Sequence, residues 1–121
     1  MLLVKHFTDA PEADDGVRMW IEPIDLAPEL RLWCSVDHCL THLGPPLALR
    51  RWFEDHPLDY EEFRGLYHEY LARTPYGQVL HEFAVAAAGS ENVTLLHDED
   101  DPRHNSATAL AEYLAGLLSG R

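Results

Sequence analysis

The segment Val93-Thr94-Leu95-Leu96-His97 is apolar over most of its length and lacks the alternation of a half-exposed strand. A strand of this kind has both faces covered, as happens in the middle of a parallel sheet with helices packed on it. The rest of the chain must then supply flanking strands and the helices that cover them.

Flanking strands are present upstream. Leu2 to Phe7 reads as a buried strand, and Thr8 to Gly16, rich in Asp, Pro and Ala, as an exposed loop. Val17 to Glu22 alternates Val17, Met19 and Ile21 against Arg18, Trp20 and Glu22, and Pro23 stops it. Leu30 to Cys34, after Ala27-Pro28-Glu29, is a less regular strand candidate. Val36 to Leu43 suits a helical turn and coil equally.

Helical spacing governs the second half. Pro45-Pro46 introduces a helix from Leu47 to Glu54, with Leu49, Trp52 and Phe53 on one side, and His56-Pro57 ends it. Asp59 is the expected N-cap of the next helix, with Glu62 three residues on, and Phe63, Leu66, Tyr67, Tyr70 and Leu71 form its apolar stripe. A third helix runs from Tyr76 to Ala88 through Val79, Leu80, Phe83 and Ala87, with Gly89 as its stop. The last, Asn105 to Leu118, carries Ala107, Leu110, Ala111, Leu114, Leu117 and Leu118, with Gly120 just past its end.

Strands alternating with helices predict an α/β fold. We expect a single three-layer domain over residues 1–121, with a small, mostly parallel central sheet flanked by helices. A chain of 121 residues suits one domain and is long enough to form a core without disulfides.

Charge narrows the partners. Nine Lys and Arg against 21 Asp and Glu give a net charge of -12, which argues against binding nucleic acid or an anionic membrane surface. Cys34 and Cys39 do not make a disulfide framework, and no apolar run approaches the roughly 20 residues that span a bilayer. The N-terminus lacks the apolar core of a signal peptide, so a cytoplasmic, reducing setting is expected, and the sequon Asn92-Val93-Thr94 carries no meaning there. No Gly-rich phosphate loop, CxxC pair, GxSxG elbow or HExxH motif is present, and no cofactor is expected.

Ligands of parallel sheets collect beyond the carboxyl ends of the strands, which directs attention to the loop after the central strand. That loop, His97-Asp98-Glu99-Asp100-Asp101-Pro102-Arg103-His104-Asn105, holds the densest set of hydrogen-bonding and acid/base groups in the chain and runs into the last helix. Free N–H groups at that helix start suit an anion, and His97, His104 and the carboxylates suit proton movement. The plainer account is a solvated acidic loop in which Asp101 or Asn105 caps the helix. Its carboxylates repel anions, so an anion site there needs Arg18, Arg50 or Arg103 close by.

Other groups have ordinary explanations. His38 and His42 share a face if their segment is helical, with Cys34 or Asp37 as a third metal ligand, but scattered surface histidines account for them, and no metal site is expected. Nothing marks Cys39 as an activated nucleophile beside His38 or His42. Trp20, Trp33 and Trp52 are read as core or rim packing, and Glu61, Glu62 and Glu69 as solubilising charges. Arg18, on a strand with apolar neighbours, needs a carboxylate or a ligand if it faces inward.

Two longer stretches resemble the YeaO-like proteins, a bacterial family of small α/β domains of unknown function. One is Leu43-Gly44-Pro45-Pro46-Leu47-Ala48-Leu49-Arg50-Arg51-Trp52-Phe53-Glu54-Asp55-His56-Pro57, continuing to Phe63, Tyr67 and Leu71. The other runs from Thr94-Leu95-Leu96-His97 through Asp101, His104, Asn105 and Ala107 to Leu110, and Asp15-Gly16-Val17-Arg18 is a shorter third match. The chain departs from the family where an Arg-x-Trp-Pro-Arg-Gly run is replaced by Glu22-Pro23-Ile24-Asp25-Leu26, a Trp-Leu-Lys by Cys39-Leu40-Thr41, a Ser by Pro46 and a Tyr by His97. The resemblance carries site positions over at Arg18, Arg50, Asp101 and Asn105, and it brings no reaction with it.

Two function classes follow. One is a scaffold for a small molecule or anion, with Arg18 and Arg50 on a negative group and His97, Asp101, His104 and Asn105 as polar contacts at the strand ends. The other is a non-catalytic interaction module, or a homodimer through an exposed aromatic surface, that has lost the family pocket.

Overall fold

The computed structural model describes residues 1–119. Its strands are β1 (Leu2–His6), β2 (Val17–Trp20), β3 (His38–Cys39) and β4 (Val93–His97), and its helices are α1 (Pro28–Trp33), α2 (Leu47–Asp55), α3 (Tyr60–Arg73), α4 (Gly77–Ala88) and α5 (Ser106–Leu117). Short 3-10 turns occupy Ala13–Asp15 and Thr41–Leu43. The strands form one parallel sheet in the order β1-β4-β2-β3, with Leu95 of β4 in register with Val4 and Met19. All five residues of β4 are buried, the condition its unalternating sequence calls for.

Strand order places the covering layers. Going from β1 to β2 to β3 crosses the sheet in one direction, and going from β3 to β4 returns in the other. Right-handed crossovers put these connections on opposite faces. On one face, Met19, Val4 and Leu95 pack with Ile21, Phe63, Tyr67, Leu71, Leu80, Leu110 and Leu114 beneath α2 to α5. On the other, Trp20 and Leu96 pack with Leu26, Phe7, Val36 and Cys39, under α1 and the connection that follows β1. The fold is α/β, with layers of unequal size on its two faces.

Several local expectations need correction. Leu30 to Trp33 belongs to helix α1, which Cys34 ends, with Pro28 in its first turn where a missing N–H costs nothing. Its apolar residues lie at the surface, with Leu32 78% and Trp33 77% exposed. Val36 to Leu43 supplies the two-residue edge strand β3 and a 3-10 turn. Asp59 precedes α3 but makes no side-chain capping bond. The loop after β1 is not wholly exposed, since Asp15 is buried in it. Gly120 lies outside the described residues.

Two glycines let segments approach. Gly16 has φ +62°, and a Cβ there would strike the Asn92 carbonyl beside β4. Gly44 lies against the Ile21 carbonyl just past β2, where any side chain would collide. Its neighbour Leu43 accepts a 2.6 Å hydrogen bond from the buried Tyr67 hydroxyl, which ties the approach to α2 onto α3. No described helix is long and apolar enough to cross a membrane.

Candidate functional site

Between β4 and its two neighbours the chain leaves the sheet in different directions. After β4 it turns to α5 on one face, whereas after β1 and β2 it turns to the other. This is the switch point at which parallel sheets open a crevice. A cleft of about 420 Å³ lies there, between the α2 end (Arg50, Phe53) and the loop after β4 (Asp98, Glu99, Asp101, His104).

Arg50 is the hub. Its Nε donates to Glu22 Oε1 at 3.3 Å, Nη1 to Glu54 Oε1 at 2.9 Å and Nη2 to Asp98 Oδ1 at 2.9 Å, while Glu99 Oε1 lies 3.7 Å from Nε. The close pass of Gly44 over the backbone after β2 is what allows α2 to bring Arg50 to Glu22. Burial weakens the guanidinium's charged form, and the carboxylates of Glu22, Glu99 and Asp98 more than reverse that. Every Arg50 nitrogen thus faces a carboxylate.

The carboxylates are also organised by backbone. Asp98 N–H donates to Glu22 Oε2 at 3.3 Å, and Ser106 N–H, in the first turn of α5, donates to Glu99 Oε1 at 2.9 Å. One oxygen each from Glu22, Asp98 and Glu99 lies within 4.8 Å of the others. Burial, reinforced by the neighbouring Glu99 and Asp98 carboxyls, pushes Glu22 well above the usual carboxylate range, although Arg50 opposes it. For Asp98, burial acts upward, but hydrogen bonds with Glu22 and Arg50 bring its carboxyl below the ordinary value.

The expected site residues separate into four groups. Arg50, Asp101 and His104 line the cleft. Asp101 accepts from Arg103 N–H and His104 N–H and pairs with His104 Nδ1 at 2.9 Å, so it folds the loop before α5. Asn105 is buried and caps α5 by accepting from Thr108 N–H at 2.8 Å, a structural role. His97 is buried at the end of β4, where its Nδ1 accepts from Glu99 N–H and burial lowers its pKa.

Arg18 does not join them. Its register partner on β4 is Thr94, whose hydroxyl binds the Asp15 carbonyl on the face opposite the helical core. There Arg18 Nη1 meets Asp15 at 2.7 Å, and its other donors go to the carbonyls of Phe7, Asp9, Cys34 and Ser35. A buried strand arginine needed a partner, and Asp15, shared with Lys5 at 2.8 Å, is that partner. Arg18, Arg50, Asp101 and Asn105 therefore do not converge in one cleft.

His38 and His42 do not share a helix, and among the described residues the metal-compatible group is Glu22, Asp98 and Glu99, without either histidine or Cys34. Trp20 is core and Trp52 stacks on His56, but Trp33 stands in solvent. Glu22 was missed as a site residue. A carboxylate directly after a buried strand was the available signal, but no local pattern pairs it with a loop 76 residues away.

A model of the family described as "Domain of unknown function DUF488" matches residues 4–114. Neither the curated proteins nor the solved structures compared with the chain include a match.

Proposed function

The chain belongs to the DUF488 family, within which its YeaO-like resemblance falls, and from that premise we propose that it binds a small polar molecule in the cleft at the carboxyl end of β4. The observation that supports this reading is the excess of carboxylates around a single, fully engaged Arg50 at the mouth of a sheet switch point. The ligand that fits is a compact amine or guanidine. Asp98, Asp100 and Asp101 offer it acceptors, and Phe53, Pro57 and the exposed Leu58 offer it an apolar wall.

A free anion, the class expected from the sequence, fits less well. Arg50 has no donor nitrogen without a carboxylate facing it, and the surrounding acidic groups repel negative charge. An interaction module without a pocket leaves the cleft unexplained. The exposed aromatic that such a module would use is Trp33 on α1, beside the exposed Leu32.

A thermal-shift panel tests the reading. Primary amines and guanidines of graded apolar size are expected to raise the Tm, and inorganic phosphate at equal ionic strength is not. A ligand at 100 times its Kd stabilises by about 2.7 kcal/mol, well within reach of the method. Stabilisation by phosphate alone contradicts the cationic class. No response to any compound, together with a dimer by light scattering, favours the interaction module.

A further inference from the structure

Beneath the cleft, we propose that Glu22, Asp98 and Glu99 form a site for a hard divalent cation of the Mg²⁺, Ca²⁺ or Mn²⁺ class. The proposal rests on the cleft being a binding site and adds a metal ion to its floor.

Ligands of one ion must lie within about two bond lengths of each other, roughly 4.2 Å for Mg²⁺ and up to 5 Å for Ca²⁺. The three carboxylates meet the Ca²⁺ limit, with one oxygen of each within 4.8 Å of the others, and a smaller ion needs them to draw slightly closer. They come from separate parts of the chain, Glu22 just past β2 and Asp98 and Glu99 just past β4, and the parallel sheet holds both strand ends side by side. All donors are oxygen, which suits hard cations over those that prefer nitrogen or sulfur. The site is also graded in access: the Glu22 side chain is 1% exposed and closes it from beneath, while that of Asp98 is 35% exposed and faces the cleft.

A second observation points to a ligand. Among the described residues, the buried side-chain atoms without a hydrogen-bond partner are Glu99 Oε2 and Ser106 Oγ. They belong to residues already joined through Ser106 N–H and Glu99 Oε1. The Glu99 side chain is nine-tenths buried, and one of its oxygens is satisfied while the other is not. An unsatisfied buried carboxylate oxygen is costly, more so than a neutral acceptor, and a cation at the centre of the cluster removes that cost.

Charge agrees with geometry. The Asp98 and Glu99 carboxylates already outnumber the one guanidinium of Arg50, and Glu54, also on Arg50, adds another negative charge. Arg50 takes one oxygen each of Glu22 and Asp98, and the Asp98 N–H takes the other Glu22 oxygen, so Glu99 Oε2, which has no hydrogen-bond partner, is the atom open to an ion.

Calorimetric titration and Tm measurement on the full chain, first stripped with a chelator, test the proposal with MgCl2, CaCl2 and MnCl2 in turn. Choline chloride at matched ionic strength controls for screening. The expected result is one saturable site for at least one of the three ions, with a rise in Tm. Glu99→Gln, which keeps the acceptor for Ser106, and Asp98→Asn, at a partly exposed position, are each expected to weaken binding about tenfold or more, whereas Glu61→Gln on the surface of α3 leaves it unchanged. Circular dichroism identifies folded variants, and Asp98→Asn carries the test if Glu99→Gln does not fold. No heat and no Tm change up to about 10 mM overturns the site, because even weak calcium modules bind at about 1 mM. Binding that survives both substitutions also overturns it. A chain that answers amines but no cation loses the metal site and keeps the ligand cleft; a chain that answers neither loses both.

Discussion

Arg50 on α2 and Asp98 at the end of β4 meet at 2.9 Å although 48 residues separate them in the chain. The pair fastens the helical layer to the strand ends and, with Glu22 beneath, makes the cleft floor one charged unit. Removing the guanidinium leaves Glu22 buried without its counter-charge. Arg50→Ala is therefore expected to destabilise by about 3–5 kcal/mol in denaturant unfolding. Arg50→Lys should recover only part of this, because an ammonium cannot reproduce the fork that reaches Glu22, Glu54 and Asp98 together. A loss below about 1 kcal/mol for Arg50→Ala would contradict this role.

Arg18 gives the contrasting case. Its pair with Asp15 is as buried as Arg50's with Glu22, but it lies on the other face of the sheet. Arg18→Gln should cost about 3–5 kcal/mol of stability while leaving amine or cation affinity of the folded protein unchanged. Equal stability with lost binding would show that Arg18 reaches a ligand.

Gly16→Ala tests the close pass beside β4. The substitution places a Cβ at φ +62° and against the Asn92 carbonyl. A left-handed position costs about 1 kcal/mol for alanine, and the backbone collision adds to that, so a loss of about 2 kcal/mol or more is expected by urea unfolding. A neutral outcome would mean that the turn preceding β2 relaxes freely.

Two buried groups set opposing pH dependences. Burial lowers the His97 pKa from 6.5, so the unfolded chain binds more protons and stability falls as pH drops through 6.5 toward the folded value. Burial raises Glu22 from 4.5, so the folded chain keeps its proton longer, and stability falls as pH rises from 4.5 through the folded value. In chelator-treated protein, Glu22→Gln is expected to steepen the loss of stability on acidification, and His97→Gln to flatten it. Further down, burial would raise Asp15, but Lys5 and Arg18 hold it below 3.8, and its contribution disappears as pH falls through that lower value. Unfolding free energies across pH for the variants check the signs; matching slopes in all of them would contradict the assignment.

Much of the fold was legible because burial leaves a periodic trace. The unalternating run at β4 marked the central strand, and the four-residue spacing of Phe63, Tyr67 and Leu71 marked α3. Elements that bury little were misread: Leu30 to Cys34 mimics a strand because its apolar residues face solvent, and the edge strand β3 is too short for any period. Strand order pointed to the loop after β4, and the family resemblance to Arg50 and Asp101; Arg50, Asp101 and His104 line the cleft. Arg18 was misplaced because alternation shows that a side chain is inward without showing which face it meets. Glu22 was missed because its partners come from distant segments brought together by the parallel register.

The central claim is that the acidic floor over β4 is where a cation-bearing ligand binds. The most direct measurement is a ¹H–¹⁵N correlation spectrum recorded during titration with a small amine and, separately, with MgCl2 or CaCl2. The amides of Glu22, Arg50, Asp98, Glu99 and Ser106 are expected to shift together along one saturable curve. Shifts spread over exposed acids such as Glu61, Glu69 and Asp9, or no shift in the floor residues at saturating ligand, would contradict the claim.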